Sequence, residues 1–171
     1  MKSSLIALIP LAVGCSAPPP VEPSPEERAV ITAEVDATVK RYLAAMERAD
    51  AAEAFGYVVA PPGYQYVDSD GHLYDDADAR RFIREALAKV AVQKGTPRKV
   101  AVQVLGRDTA LCAWSGAVSV TPKSGPALTS DPLHVTLLLR RVDGAWRVAY
   151  QQESSQLPLP APRAAPGALA P

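Results

Sequence analysis

The apolar residues of this 171-residue chain change their spacing once, and no motif limits the fold as strongly. Before residue 97 they recur every three or four positions. Ile31, Val35, Val39, Tyr42, Leu43 and Met46 make one stripe, and Phe82, Ile83, Ala86, Leu87 and Val90 make another. From Val100 they recur at every second position, through Val102 and Val104, and strand-like runs follow at 109–120, 133–142 and 146–152. The longer spacing marks helices with one buried face, and the shorter one marks half-buried strands. Helices first and strands afterwards predict an α+β domain, with N-terminal helices packed on one face of a curved antiparallel sheet.

Local signals punctuate this order. Ser24-Pro25-Glu26-Glu27 reads as an N-cap, a first-turn proline and a capping box at the start of a helix of about 25 residues. Asp50 caps a short helical turn through Phe55, and Pro61-Pro62-Gly63 breaks the chain. Residues 64–67 predict a short strand, and Asp68-Ser69-Asp70-Gly71 a turn. Asp75 or Asp76 caps the next helix, which Gly95-Thr96-Pro97 is expected to end. Gly106-Arg107-Asp108 is a turn, residues 122–132 read as a loop, and Asp143-Gly144 is a hairpin turn before the last strand.

The two ends have a different character. Lys2 followed by the apolar run Ser4 to Val13 reads as a secretion signal, too short to span a bilayer. Ala12-Val13-Gly14-Cys15 resembles the lipobox of bacterial lipoproteins, in which the cysteine takes a diacylglycerol, although Ala12 stands where leucine is usual. Ser16 after it resembles lipoproteins sent to the outer membrane of diderm bacteria, facing the periplasm. Prolines crowd residues 16–25 and 156–171, where neither sheet nor helix is expected. The expected domains are therefore a signal peptide at 1–14, a lipidated Cys15 with a Pro-rich tether to residue 25, a folded unit at 26–155 and a Pro/Ala-rich tail at 156–171. Eighteen basic residues balance eighteen acidic ones, so no positive field is available to hold nucleic acid. Cys112, the only other cysteine, reads as a buried, inert thiol.

Several of these pieces together resemble the NTF2-like superfamily, most closely its SnoaL-like and DUF4440-type members. They are the long N-terminal amphipathic helix, the D-x-D-G turn, a further helix, and long strands closing in Asp143-Gly144-Ala145-Trp146-Arg147-Val148. The resemblance covers about residues 26–155. It implies an NTF2-like cone, a strongly curved sheet wrapped on helices with a pocket at the wide end, and a homodimer formed through the sheet. Relatives of this kind include isomerases, cyclases, dehydratases and non-catalytic modules. In many DUF4440-like chains a histidine stands where this chain has Gln152, counted from Trp146, and Ser154 matches a serine.

The candidate chemistry is sparse. Asp68 shares strand parity with Tyr64 and Tyr66, so an Asp base beside a Tyr hydroxyl is one reading, with His134 as a further reacting group. The remaining carboxylates near it fit turns and helix caps. A calcium loop with Gly71 at its sixth position would begin at Tyr66, which offers no carboxylate. His72 and His134 do not have zinc-site spacing, so no metal and no cofactor is expected. No Gly-rich phosphate loop and no G-x-S-x-G elbow is present. Tyr42, Tyr64, Tyr66, Asp68, Trp114, His134, Tyr150, Gln152 and Ser154 are the candidate pocket residues, with Gln152 and Ser154 at the pocket rim on the Trp146 face. The resulting expectation is a lipid-anchored envelope module that binds a small apolar ligand or a protein. It leans away from catalysis for want of an acid/base set. The alternative is an isomerase or dehydratase of the SnoaL or ketosteroid-isomerase kind, acting on a small apolar carbonyl compound.

Overall fold

The computed structural model describes residues 22–155. The signal peptide, Cys15, most of the tether and the tail at 156–171 lie outside the described residues. Helix α1 (Pro25–Glu47) starts as its sequence requires. The Ser24 hydroxyl accepts from the Glu27 N–H, and the Glu27 carboxylate accepts from the Ser24 N–H. Asp50 caps α2 (Ala51–Gly56), and Asp75 caps α3 (Asp76–Ala88). The strands are β1 (Gln65–Val67), β2 (Leu73–Tyr74), β3 (Val90–Gly106), β4 (Thr109–Pro122), β5 (Leu128–Val142) and β6 (Ala145–Ser155). Among the described residues no helix is long and apolar enough to cross a membrane.

The strands form one sheet in the order β2-β1-β6-β5-β4-β3. The element order is NTF2-like, but the strongly curved cone is not what forms: the sheet is neither strongly curled nor closed. Closure would require the edge strands β2 and β3 to hydrogen-bond to each other, and β2 has two residues and lies at the opposite end of the order. The sheet is not purely antiparallel either, because β1 runs parallel to β6.

Strand boundaries also depart from the expected ones. Gly95-Thr96-Pro97 does not end a helix but lies inside β3. Pro97 cannot donate to a ladder, and an edge strand tolerates that. The expected loop at 122–132 shrinks, because β5 starts at Leu128. Pro132 sits in β5 beside a register shift opposite Gly116 and Val118.

The core lies between α1 and the inner face of the sheet. Val35, Val39 and Tyr42 from α1 are fully buried with Cys112, Leu137, Leu139 and Val148 from the strands. Burial, and then the Asp36 charge, push the Cys112 thiol up to about 11, which keeps it protonated.

One irregularity in β6 decides what faces this core. Trp146 and Val148 point inward, opposite the alternation of β5. Leu139 then pairs with Val148 and Leu138 with Tyr150, so Ala149 has no partner. It is a bulge, and it reverses the parity beyond it. Gln151 and Glu153 therefore share the inner face with Leu137 and Val135, while Gln152 and Ser154 are exposed. At this point β6 also changes neighbours. Val148 exchanges hydrogen bonds with Tyr57 and Val59, and from Tyr150 onward β6 pairs with β1.

Gly116 tests how tightly the β3–β4 ladder is packed. A Cβ there would lie 2.3 Å from the Thr96 carbonyl oxygen and 2.7 Å from the Trp114 ring. Gly116→Ala should cost about 1–3 kcal/mol by overpacking, read as a lower urea midpoint with an unchanged slope.

Candidate functional site

The candidate site is a cavity of about 590 Å³ between α1, α3 and the inner face of the sheet. Its walls are mainly apolar, with Val39, Leu43 and Met46 from α1, Ile83 and Leu87 from α3, and Trp114 and Val135 from the sheet. Tyr66 and Phe82 close one side as a stacked pair with ring centroids 5.9 Å apart, and Tyr74 stacks on Phe82 at 4.8 Å. A polar cluster on the wall draws on three elements. Tyr42 comes from α1, Tyr66 from β1, and Gln151 and Glu153 from β6.

These side chains are held by a connected set of hydrogen bonds. The Tyr42 hydroxyl donates to Gln151 Oε1 at 2.5 Å, and the Tyr64 hydroxyl donates to the same oxygen at 3.4 Å. Gln151 Nε2 donates to Glu153 Oε1 at 2.7 Å. The Tyr66 hydroxyl lies against the same carboxyl. Helix α3 sets the entry into β1: Asp76 Oδ2 accepts from the Tyr64 N–H at 2.9 Å, and Arg80 pairs with Asp76 while donating to the Val59 carbonyl at 2.6 Å.

The two acids near the cavity are tuned in opposite directions. Burial raises the Glu153 carboxyl above the usual range, and the Asp68 charge adds to this. The donors Gln151 and Tyr66 oppose the rise without cancelling it. Asp68 is also buried, and burial opposes its ionisation. The His72 N–H, the Tyr74 hydroxyl and the Asp70 N–H outweigh that cost and hold it below the usual range. A proton-holding acid close to a fixed anion is the pattern that separates acid from base roles. Burial keeps the Tyr42, Tyr64 and Tyr66 hydroxyls protonated, so each remains a donor.

Tyr42, Tyr66 and Trp114 are on the cavity wall, and Tyr64 is buried beside Tyr42. Asp68 is buried with both oxygens engaged, while its neighbours Tyr66 and Ser69 make the wall. His134 is exposed on the outer face, because Leu133 and Val135 take the inner one. The Ala149 bulge turns Tyr150, Gln152 and Ser154 away as well, so the rim expected on the Trp146 face is not formed by them.

Sequence reasoning missed Gln151 and Glu153. The available signal was the adjacent apolar pair Val148-Ala149, which breaks strict alternation where the bulge falls.

The lean away from catalysis is also overturned. Ligating atoms of Asp68, Asp70 and His72 lie within 4.8 Å of one another, a group that could hold a metal ion among the described residues. His72 Nδ1 is 3.5 Å from Asp68 Oδ2. With the tyrosine–amide–carboxyl network, the chain has acid/base groups that its spacing alone did not reveal.

A family model for the SnoaL-like domain matches residues 35–160, and the chain belongs to that family. No curated protein matches the chain. An NTF2-like superfamily protein from Salmonella enterica serovar Typhimurium superposes with a TM-score of 0.68 at 13% identity, covering 79% of this chain and 97% of the other. A dehydratase candidate of the NTF2-like family from Streptomyces avermitilis gives 0.68 at 18% identity, covering 76% and 99%. A type 2 hexachlorocyclohexane dehydrochlorinase gives 0.66 at 10% identity, covering 78% and 90%. At such identities the likeness is one of fold.

The raised pKa of Glu153 has a signed consequence for stability. Where the folded value exceeds the unfolded one, the folded state holds the proton more tightly. Stability is then lost as pH rises from the unfolded value through the folded one. Glu153→Gln removes this loss. The variant should match the wild type in acid and be the more stable protein at neutral pH, measured by urea unfolding across pH. Parallel curves would contradict the tuning of Glu153.

Proposed function

We propose that this SnoaL-like domain is an acid/base enzyme acting on a small, largely apolar carbonyl compound as an isomerase or dehydratase. The observation that carries this reading is Glu153, a proton-holding carboxyl on the wall of an apolar cavity, beside a tyrosine hydroxyl that stays protonated. A carboxyl tuned upward by burial works as a base nearer neutral pH than an ordinary glutamate. Ionised Glu153 takes a proton from the carbon next to the carbonyl. The electron pair of that C–H bond forms a double bond to the carbonyl carbon, and the C=O π pair moves onto the oxygen, which a hydroxyl such as that of Tyr66 stabilises by donation. As the oxygen pair re-forms the C=O bond, Glu153 returns the proton either to the far carbon of a neighbouring C=C bond, which shifts that bond and is isomerisation, or to a β-hydroxyl, whose C–O bond breaks with loss of water and leaves a new C=C bond. The names of the dehydratase candidate and the dehydrochlorinase, both elimination chemistries, favour the same class.

Deuterium uptake next to the carbonyl, followed by NMR over a panel of neutral cyclic and aryl ketones, tests this directly. Uptake should occur with the wild type and fall by about 10²–10⁴-fold in Glu153→Gln. It should rise with pH through the Glu153 titration. A panel with no uptake, or equal uptake in the variant, would sink the proposal.

We also propose that the domain works at the cell envelope. The reading is a signal peptide at 1–14, a lipid on Cys15 holding the chain to the membrane, a Pro-rich tether to residue 25 and a Pro/Ala-rich tail at 156–171. In a diderm bacterium the domain would face the periplasm from the outer membrane. The short apolar run ending at Cys15 and the prolines after it support this reading. A homodimer through the outer face of the sheet belongs to the same proposal, with Leu111, Leu138 and Tyr150 half-buried there without a covering helix. Mass spectrometry of membrane fractions should find a diacylglyceryl-modified Cys15 and its loss in Cys15→Ala. An unmodified wild-type chain would end the anchor proposal.

A further inference from the structure

Two buried phenols, Tyr42 and Tyr64, also bonded to each other, reach one oxygen of Gln151, and the Tyr42 proton depends on it. Tyr42 is fully buried, and its hydroxyl has one proton to place. Tyr64 is buried equally, and its hydroxyl reaches the same Gln151 oxygen. If the Gln151 amide were reversed, its NH₂ would meet two hydroxyl oxygens and neither phenol proton would have the amide oxygen to accept it. A buried donor left without an acceptor is strongly disfavoured, so the two tyrosines select one orientation. In that orientation Oε1 faces the phenols and Nε2 must face Glu153, where it lies 2.7 Å from Oε1. An oxygen that accepts this N–H is a poor place for a proton, because a hydroxyl hydrogen there would compete with the incoming donor.

We propose that Gln151 is a positioning residue: held by Tyr42 and Tyr64, it always donates to Glu153 Oε1 and so assigns the exchangeable proton of Glu153 to Oε2. The catalytic meaning rests on the acid/base reading above, since a fixed proton position aims transfer at one point in the cavity. Gln151 is then no proton carrier. It gives the carboxyl a direction and, by favouring the ionised form, opposes the rise in pKa that burial causes.

Of the other groups facing Glu153, the Tyr66 hydroxyl also donates to the carboxyl, but it can turn to accept from a protonated oxygen, which the fixed Gln151 N–H cannot. From the β1 segment Tyr66 lies against the carboxyl, and Asp68 acts on it by charge. From α1 the charged residues on the cavity wall are Asp36, Lys40 and Glu47, and Lys89 follows the end of α3. Lys40 is paired with Asp36 at 2.7 Å, and Glu47 accepts from the Gly95 N–H at 2.8 Å. Strands β4 and β5 face the carboxyl with Trp114, Leu133 and Val135, which do not titrate.

Carbon-13 NMR of the glutamate carboxyls, with nitrogen-15 detection of the Gln151 side-chain amide, tests this on the described domain within the full chain and without substrate. In the wild type one Gln151 amide proton should shift with the Glu153 titration, because it donates to that carboxyl. Gln151→Met should raise the Glu153 midpoint by about tenfold in proton affinity, the size of one charge-assisted hydrogen bond. Tyr42→Phe should raise it less, since Tyr64 still holds the amide. An amide proton that ignores the Glu153 titration would overturn the proposal, as would a Gln151→Met midpoint equal to the wild type. If Gln151→Met fails to fold, the wild-type amide decides alone. An amide that follows the titration in a protein that exchanges no substrate proton would leave the lock standing and remove the enzyme reading.

Discussion

The bulge at Ala149 sets which side chains of β6 meet α1 and the cavity. Without the extra residue, Val148 would be followed on the inner face by Tyr150, Gln152 and Ser154. With it, Gln151 and Glu153 take those places beside Leu137 and Val135. The bulge falls where β6 trades one neighbour for another, from the Tyr57–Val59 segment to β1. Two pairings with different offsets meet on one strand, and a single unpaired residue absorbs the mismatch. The position of α3 follows from the same joint, because Asp76 and Arg80 hold the chain on both sides of it through the Tyr64 N–H and the Val59 carbonyl.

A carboxyl in an apolar cavity without a cationic partner is an expensive arrangement. Here the cost is limited in two ways. Burial keeps Glu153 protonated over a wider pH range, and two neutral donors address it. The phenols that orient Gln151 are themselves satisfied by it, so the network leaves no member unpaired. Asp68 solves the opposite problem. It gives its oxygens to two backbone N–H groups and the Tyr74 hydroxyl, and remains an anion. One acid is thus kept ready to exchange a proton and its neighbour is kept charged, and the neighbour's charge helps to hold the proton on the first.

Much of the fold was legible because its signals are local. The capping box at Ser24, the caps at Asp50 and Asp75, and the Asp143-Gly144 turn each depend on a few adjacent residues. The buried stripe of α1 follows from helical spacing alone. Errors arose where a remote strand overrides a local preference. Gly95-Thr96-Pro97 looks like a helix terminator, yet it is accommodated in β3 because that strand is at an edge. Pro132 looks like a loop residue, yet a register shift against β4 accepts it. The strongly curved cone failed for the same reason, since how far a sheet curls depends on strands far apart in sequence.

Residue spacing and caps were enough for the α+β order, the helix starts, the place of Tyr42 in the buried stripe of α1 and the shared parity of Tyr64, Tyr66 and Asp68, but not for which strand face lines the cavity. Those follow from periodicity and capping, which act over a few residues. Only the tertiary structure decided that the polar end of β6 presents Gln151 and Glu153 in place of Gln152 and Ser154. Strand parity is counted from a reference residue, and one unpaired alanine between two pairing partners resets the count. Glu153 is plain in the sequence, but its direction was set by a register that no short stretch of sequence contains.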